Sequence, residues 1–403
     1  MRRPSQERQI IFFTCAAHAL THVYMVVYTV VLERMGETFG RDITDFTTIS
    51  TVLFGLGAIP ASLLADRYGE KRLLVAFFLL TALGGTVLGL AQGTITLALG
   101  MACLGLGTSI FHPVGNAFLA RGIAASGRAM GKNGMWGSFG EAFGPLLGAG
   151  IAAQFGSWRA SYLILTVPMI LLGLWLHRTP IEVPKETSAR RAALPGSGSR
   201  QVIVFLLLAM MCGGFQFWIL KTMLPTYVEK NTAESMIPAT LRGGLLTSII
   251  YVFGAFGQHL AGTLVHHREG RGLYAAIFFL SAPVIYATGR LSGLPLIAVG
   301  SLMSVLVFAA QPIENVLLAR FSPPGWVGRL MGLKFTLAFG VGGLGPSLSK
   351  GVRDAYGLPS VFTAASLFTL ASLGLALAAW RTGSRARDRQ SPTGATAALG
   401  ADR

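Results

Sequence analysis

Runs of about 20 apolar residues, the length of helix that crosses a bilayer, recur along the whole chain between short polar, glycine or proline breaks. Twelve can be marked, near 10–32, 44–64, 72–92, 94–119, 129–153, 159–177, 202–227, 242–265, 272–290, 294–320, 329–350 and 358–380. The pattern predicts an all-α membrane protein with twelve transmembrane helices. The longest polar interval between runs, Arg178 to Arg200, is rich in Arg, Pro, Gly and Ser and reads as a flexible linker. The expected organisation is an N-terminal six-helix half (1–177), a cytoplasmic linker (178–200), a C-terminal six-helix half (201–380) and a disordered cytoplasmic tail (381–403).

Composition agrees with that class. Of 403 residues, 52% are hydrophobic and 12% charged, whereas a soluble enzyme carries about twice that charge. Cys15, Cys103 and Cys212 lie in apolar runs without CxxC spacing, so neither a disulfide framework nor a zinc ribbon is expected. Arg2 and Arg3 precede an apolar run too long for a signal peptide and without a small-residue cleavage site, so 10–32 reads as the first membrane helix. With the N-terminus inside, cytoplasmic segments hold 23 Lys and Arg and outer segments 8, which places both termini in the cytoplasm. The same asymmetry accounts for the net charge of +16, so no nucleic-acid partner is implied.

An internal repeat runs through the chain. "GRAMGKNGMWGSFGEAFGP" (Gly127 to Pro145) recurs as "GRLMGLKFTLAFGVGGLGP" (Gly328 to Pro346) at an offset of 201, and "HPVGNAFLAR" recurs as "QPIENVLLAR" at an offset of 199. Parallel repeats with substrate at the midplane between them are a transporter architecture.

"SLLADRYGEKRLL" (Ser62 to Leu74) resembles the loop motif G-x-L-A-D-R-x-G-R-K-x-x-L of the major facilitator superfamily. Asp66, Arg67, Gly69 and Lys71 match, while Ser62 and Glu70 replace the opening glycine and first basic residue; His266 and His267 stand at the equivalent place in the second half. The resemblance implies a conformational latch in which Asp and Arg pair near helix ends. Gly131, Gly140, Gly144, Pro145 and Gly148 are similar in spacing to the antiporter motif of helix 5. Glycines so placed clear one helix face for close approach, and Pro145 withdraws a backbone hydrogen bond. "GTSIFHPVG" (Gly107 to Gly115) with this glycine-rich helix resembles the fosmidomycin-resistance branch, which implies proton-driven export of small molecules.

Ionisable residues inside the membrane are costly and face a partner or a wet cavity. At about 1.5 Å per residue, His18 and His112 lie near one depth, His22 and Glu141 near a second, and Glu314 and Lys334 near a third. The resemblance places helices 1, 4, 7 and 10 around the cavity. His22, Glu141, His18 and Glu314 are therefore the candidates for proton coupling, with a structural Glu314–Lys334 ion pair as the blander alternative. His112, Tyr24, Tyr28, Asn116, Trp136, Gln216, Gln311 and Asn315 are candidates for the substrate cavity.

The expected protein is a secondary active transporter, not an enzyme: a monomer in the plasma membrane that exports small organic molecules at the expense of a proton gradient, with no cofactor. An importer or facilitator would share this fold. Divalent metal transport is the lesser rival, because His18 and His22 stand four apart but no H-E-x-x-H motif or cysteine pair completes a ligand set.

Overall fold

A computed structural model of the protein describes residues 4–123, 126–181, 200–233, 236–267, 270–323 and 326–390. Every expected span is a helix or a broken helix. The first half comprises α1 (Pro4–Phe39), α2 (Thr44–Leu56), α3 (Ala58–Tyr68), α4 (Glu70–Gly89), α5 (Thr94–Ser109), α6 (Phe111–Gly122), α7 (Ser126–Gln154) and α8 (Trp158–Arg178). The α2–α3 pair is one span bent by 46° at Gly57, and α5–α6 make up the fourth span. The second half comprises α9 (Arg200–Lys230), α10 (Ala239–His267), α11 (Gly270–Thr288), α12 (Gly293–Phe321), α13 (Val327–Phe335), α14 (Gly345–Tyr356) and α15 (Pro359–Gln390). Between α13 and α14 the eleventh span passes through a π-helical turn (Thr336–Val341) and a short 3₁₀ turn (Gly342–Leu344).

Among the described residues ten helices are long and apolar enough to cross a membrane, and the bent pair makes an eleventh. The remaining span is α7, whose glycines and polar residues lower its hydropathy. It is held inside the bundle against α1 and α10. Helix α15 continues to Gln390, into the stretch expected as a disordered tail, since no proline interrupts it before Pro392. The linker residues 182–199, the tail 391–403 and the side chains of His266 and His267 lie outside what the structure describes.

Two buried clusters follow the two halves. One joins residues from Ile10 to Ile181 and another residues from Val202 to Ala379, while a third crosses between them, setting Val26 and Ala142 against Ile219, Leu220 and Met223. The closest crossing of the halves is made by glycine. A Cβ on Gly55 of α2 would lie 1.9 Å from the Gly340 nitrogen in the π-helical turn, so any side chain there would force the backbones apart.

From this crossing toward the Asp42 end the halves are joined. Thr51 Oγ1 donates to the Gly343 carbonyl at 2.6 Å, Thr48 and Ser347 hydroxyls meet at 2.8 Å, and Asp42 pairs with Arg353. Lys230 Nζ lies 2.5 Å from Glu33 Oε1 on the same side. Burial pushes the Asp42 carboxyl up, but hydrogen bonds from Thr44 and Arg353 outweigh it and hold it below the usual carboxylate range. This contact is therefore present above the ordinary carboxylate pKa and is lost only as pH falls through the depressed value. Toward the end where α1 and α9 begin, the halves part. A Cβ on Gly332 would meet only Ile59, at 3.7 Å, and Gly131 and Gly134 face open space.

Candidate functional site

Small residues on α7 bring it onto α1. A Cβ at Gly140 would lie 2.1 Å from the Ala19 carbonyl oxygen, and one at Gly144 would lie 2.2 Å from Val26 Cγ2. Gly137 makes room for the His18 ring, which a Cβ there would meet at 2.5 Å. Gly148 is tight against Val27 and Val30, whereas Gly131 has no neighbour and takes no part in the close approach expected of it. Pro145 lies within α7, and its carbonyl passes beside Gly244 of α10.

The approach buries Glu141 between two basic side chains, one from each half. His22 Nδ1 lies 2.6 Å from Glu141 Oε2, and Lys221 Nζ lies 2.8 Å from Oε1 and 3.0 Å from Oε2. Glu141 and Lys221 are each 2% exposed, so neither charge is satisfied by solvent, and removing either partner would leave the other uncompensated. Behind His22, its Nε2 lies 3.2 Å from His18 Nε2, and His18 Nδ1 lies 2.8 Å from the Asn133 carbonyl oxygen.

These distances fix a count of hydrogens. A carbonyl oxygen only accepts, so His18 Nδ1 donates to Asn133 and a neutral His18 has a bare Nε2. His22 must then donate through Nε2, and the 2.6 Å contact with Glu141 needs a further hydrogen. A neutral His22 can donate from Nδ1 to Glu141 or from Nε2 to His18, and making both bonds at once takes one further proton. With that proton in place, His22 and Lys221 set two positive charges against the one carboxylate.

His112 of α6 closes the group. Its ring is 5.1 Å from His18 and 5.6 Å from His22, and it stacks at 5.4 Å on Phe335 of the other half. Ligand nitrogens of the three histidines lie within 4.8 Å of one another.

A second carboxylate–lysine pair belongs to the C-terminal half alone. Glu314 Oε2 lies 2.9 Å from Lys334 Nζ, Tyr274 donates its hydroxyl to Glu314 Oε1 at 2.9 Å, and Lys334 donates to Asn315 Oδ1 at 2.8 Å. Gln311 accepts from Gln258, which accepts from Ser138 of α7, a polar chain between the halves. Asn116 and Asn315 are exposed, and Gln216 is buried.

Two aromatic candidates lie elsewhere. Tyr24 packs inside the N-terminal half against Gly85, with its hydroxyl 3.3 Å from Thr166. Trp136 stands with Phe139, Phe143 and Leu147 on an exposed stripe of α7 turned away from α1 and α10. Residue type placed both in the cavity; helix face places them outside it. Tyr28 is buried near Glu141 and Thr222.

The latch has different partners from those expected. Asp66 and Glu70 both pair with Arg121 at the end of α6, at 3.2 and 2.5 Å. Arg67 instead lies over the Tyr68 ring. Glu70, a departure from the motif, is thus the nearer partner, and Lys71 donates to the His177 carbonyl. Gly69 joins α3 to α4 at φ +89°, a conformation that disfavours any side chain.

Lys221 was not among the expected site residues, although a signal for it exists. It lies 199 residues beyond His22, the offset that superposes "QPIENVLLAR" on "HPVGNAFLAR". The first helix of each half thus presents a cation at an equivalent position, and both reach the same carboxylate.

Among known proteins, the chain is 26% identical over 315 residues to the fosmidomycin resistance protein of Escherichia coli (strain K12), covering 74% of each. It is 25% identical over 341 residues to the sialic acid transporter NanX of the same organism, covering 78% of this chain and 80% of that one. Its fold matches the crystal structure of a bacterial homolog of the human lysosomal transporter Spinster, in an inward-facing and occupied conformation. That match has a TM-score of 0.76 at 18% identity, covering 97% of this chain and 100% of the other. The description of the Major Facilitator Superfamily fits residues 12–346, most of the chain, and the protein belongs to that superfamily.

Proposed function

We propose that this membrane transporter exports small organic molecules in exchange for protons, with the His22–Glu141–Lys221 cluster as the coupling site. One observation carries the reading: a carboxylate of one half is held at 2.6 Å by His22 of its own half and at 2.8 Å by Lys221 of the other. A proton settling on Glu141 weakens its hold on Lys221, so protonation and the joining of the halves are linked. The Asp42–Arg353 contact lies outside the membrane spans and keeps its charge through neutral pH, so it does not supply a pH dependence there. Relatives named for fosmidomycin resistance and for sialic acid transport support a small organic cargo. The 23-to-8 basic asymmetry supports cytoplasmic termini in the plasma membrane.

The test uses proteoliposomes and a compound found by growth profiling of a deletion and an overexpressing strain, beginning with fosmidomycin and sialic acid. Glu141→Gln and His22→Gln lose accumulation driven by a pH gradient and retain substrate exchange. Unchanged gradient-driven flux in both variants overturns the proposal. The three clustered histidines favour divalent metal transport as a second reading. It is the weaker one, because the group offers three histidine nitrogens with no cysteine or carboxylate among them to complete the ligand set. Zinc-driven flux abolished by His18→Gln would reverse that order.

A further inference from the structure

The end at which the halves are joined is not sealed throughout. A cleft of about 500 Å³ opens there between α1, α8, α9 and α10, lined by the charged side chains of Glu33, Arg34, Glu37, Arg159 and Glu229. Thr29 of α1 and Thr226 of α9 are its deepest residues along their helices, and the basic asymmetry places this end outside the cell. Two hydroxyls separate that floor from the coupling carboxylate. Thr222 lies four residues before Thr226, on the same face of α9, and Tyr28 of α1 reaches in beside Thr222 and Glu141. Thr222 is fully buried and Tyr28 is 1% exposed. Threonine in a membrane helix can donate to the carbonyl one turn back, as Thr14 and Thr21 do in α1. Thr222 does not, and neither its hydroxyl nor that of Tyr28 has a well-aligned hydrogen-bond partner among the described residues. Around them the halves meet through apolar side chains, Val26 and Ala142 against Ile219 and Met223.

We propose that this cleft is the entrance for the exchanged proton and that Tyr28 and Thr222 are its gate, shut while the halves are parted at the other end. The inference rests on the proton-exchange reading and names the route by which the proton arrives. An exchanger must keep its carboxylate from meeting both sides at once, since a proton that entered from outside and left inward without cargo would dissipate the gradient. The cleft brings solvent to within one helical turn of Thr222, about 6 Å, so the barrier is thin and is formed by side chains of different halves. Rocking that parts α1 from α9 at the outer end separates them. Their unmet hydroxyls favour that step, because a buried hydroxyl without a partner is costly and water entering from the cleft supplies one. The proton then reaches Glu141 from outside, and return to the arrangement seen in this structure closes the way behind it before the proton leaves inward.

Proteoliposomes without cargo, holding a trapped pH dye, read the gate directly. The wild-type protein holds an imposed gradient, acid outside. Tyr28→Ala and Thr222→Gly dissipate it, and adding Glu141→Gln to either stops the leak. Tyr28→Phe and Thr222→Val, which keep the bulk, stay tight. No leak in either small variant, a leak through the bulky ones, or a leak that survives Glu141→Gln overturns the proposal. Should the small variants not insert, thiol labelling decides. With Cys15, Cys103 and Cys212 replaced, a membrane-impermeant thiosulfonate added outside modifies Thr226→Cys several-fold faster than Thr222→Cys; equal rates, or no modification of Thr226→Cys, overturn it. A tight Tyr28→Ala beside loss of gradient-driven accumulation in Glu141→Gln counts against the gate alone. Unchanged accumulation in Glu141→Gln counts against the exchange reading, and the gate falls with it.

Discussion

The two carboxylate–lysine pairs in the membrane have the same chemistry and different connections. Glu314 is answered within its own half, by Lys334 and by the Tyr274 hydroxyl, and its charge is balanced one for one. Glu141 is answered from both halves, by His22 and by Lys221. Under the proposed exchange, a pair confined to one half would keep its partners as the halves rock, whereas a pair that spans both would be remade in each cycle. The location of the bonds, more than the identity of the groups, separates a structural ion pair from a coupling device.

The comparison is broken most severely by Gly140→Leu. The new side chain would push against the Ala19 carbonyl and move α1 off α7, parting His22 from Glu141. A displacement of about 1 Å at a reacting site costs about 100-fold, so proteoliposome flux should fall at least that far in protein that still inserts. Glu314→Gln sharpens the comparison. It leaves Lys334 buried with Asn315 as its remaining polar partner, and a broken buried pair costs about 3–5 kcal/mol. The melting temperature should fall while the ratio of protons to substrate stays at the wild-type value; a changed ratio would move the coupling role toward Glu314. The smallest effect is expected of Gly213→Ala, where a Cβ would meet Glu314 Oε1, Phe278 and Ser372 at an ordinary 3.9 Å. Both flux and melting temperature should remain near wild type.

Much of this arrangement is legible in the sequence. Apolar run length locates every span, because the bilayer sets the length of a helix whatever its neighbours. It does not reveal the bend at Gly57 or the π-helical turn at Thr336–Val341, which depend on how the two halves cross at Gly55 and Gly340. Depth along a helix brought His22 and Glu141 to one level, and their side chains do meet. Residue type carries no information about helix face, so Trp136 and Tyr24 read as cavity residues although one lies on an exposed stripe of α7 and the other packs inside the N-terminal half beside Thr166. Lys221 was legible only through the repeat, by carrying the offset of 199 from the fourth and tenth spans to the first and seventh. Glu70 was read as a loss from the loop motif, although a buried acid beside Arg121 serves as its nearer counter-charge.

The central claim is that Glu141, rather than Glu314, carries the exchanged proton. Infrared difference spectroscopy of the reconstituted protein measures this directly, since acidification produces the carbonyl stretch of a protonated carboxylic acid. The account predicts a band that disappears in Glu141→Gln and persists in Glu314→Gln. A band that persists in Glu141→Gln and disappears in Glu314→Gln would contradict it.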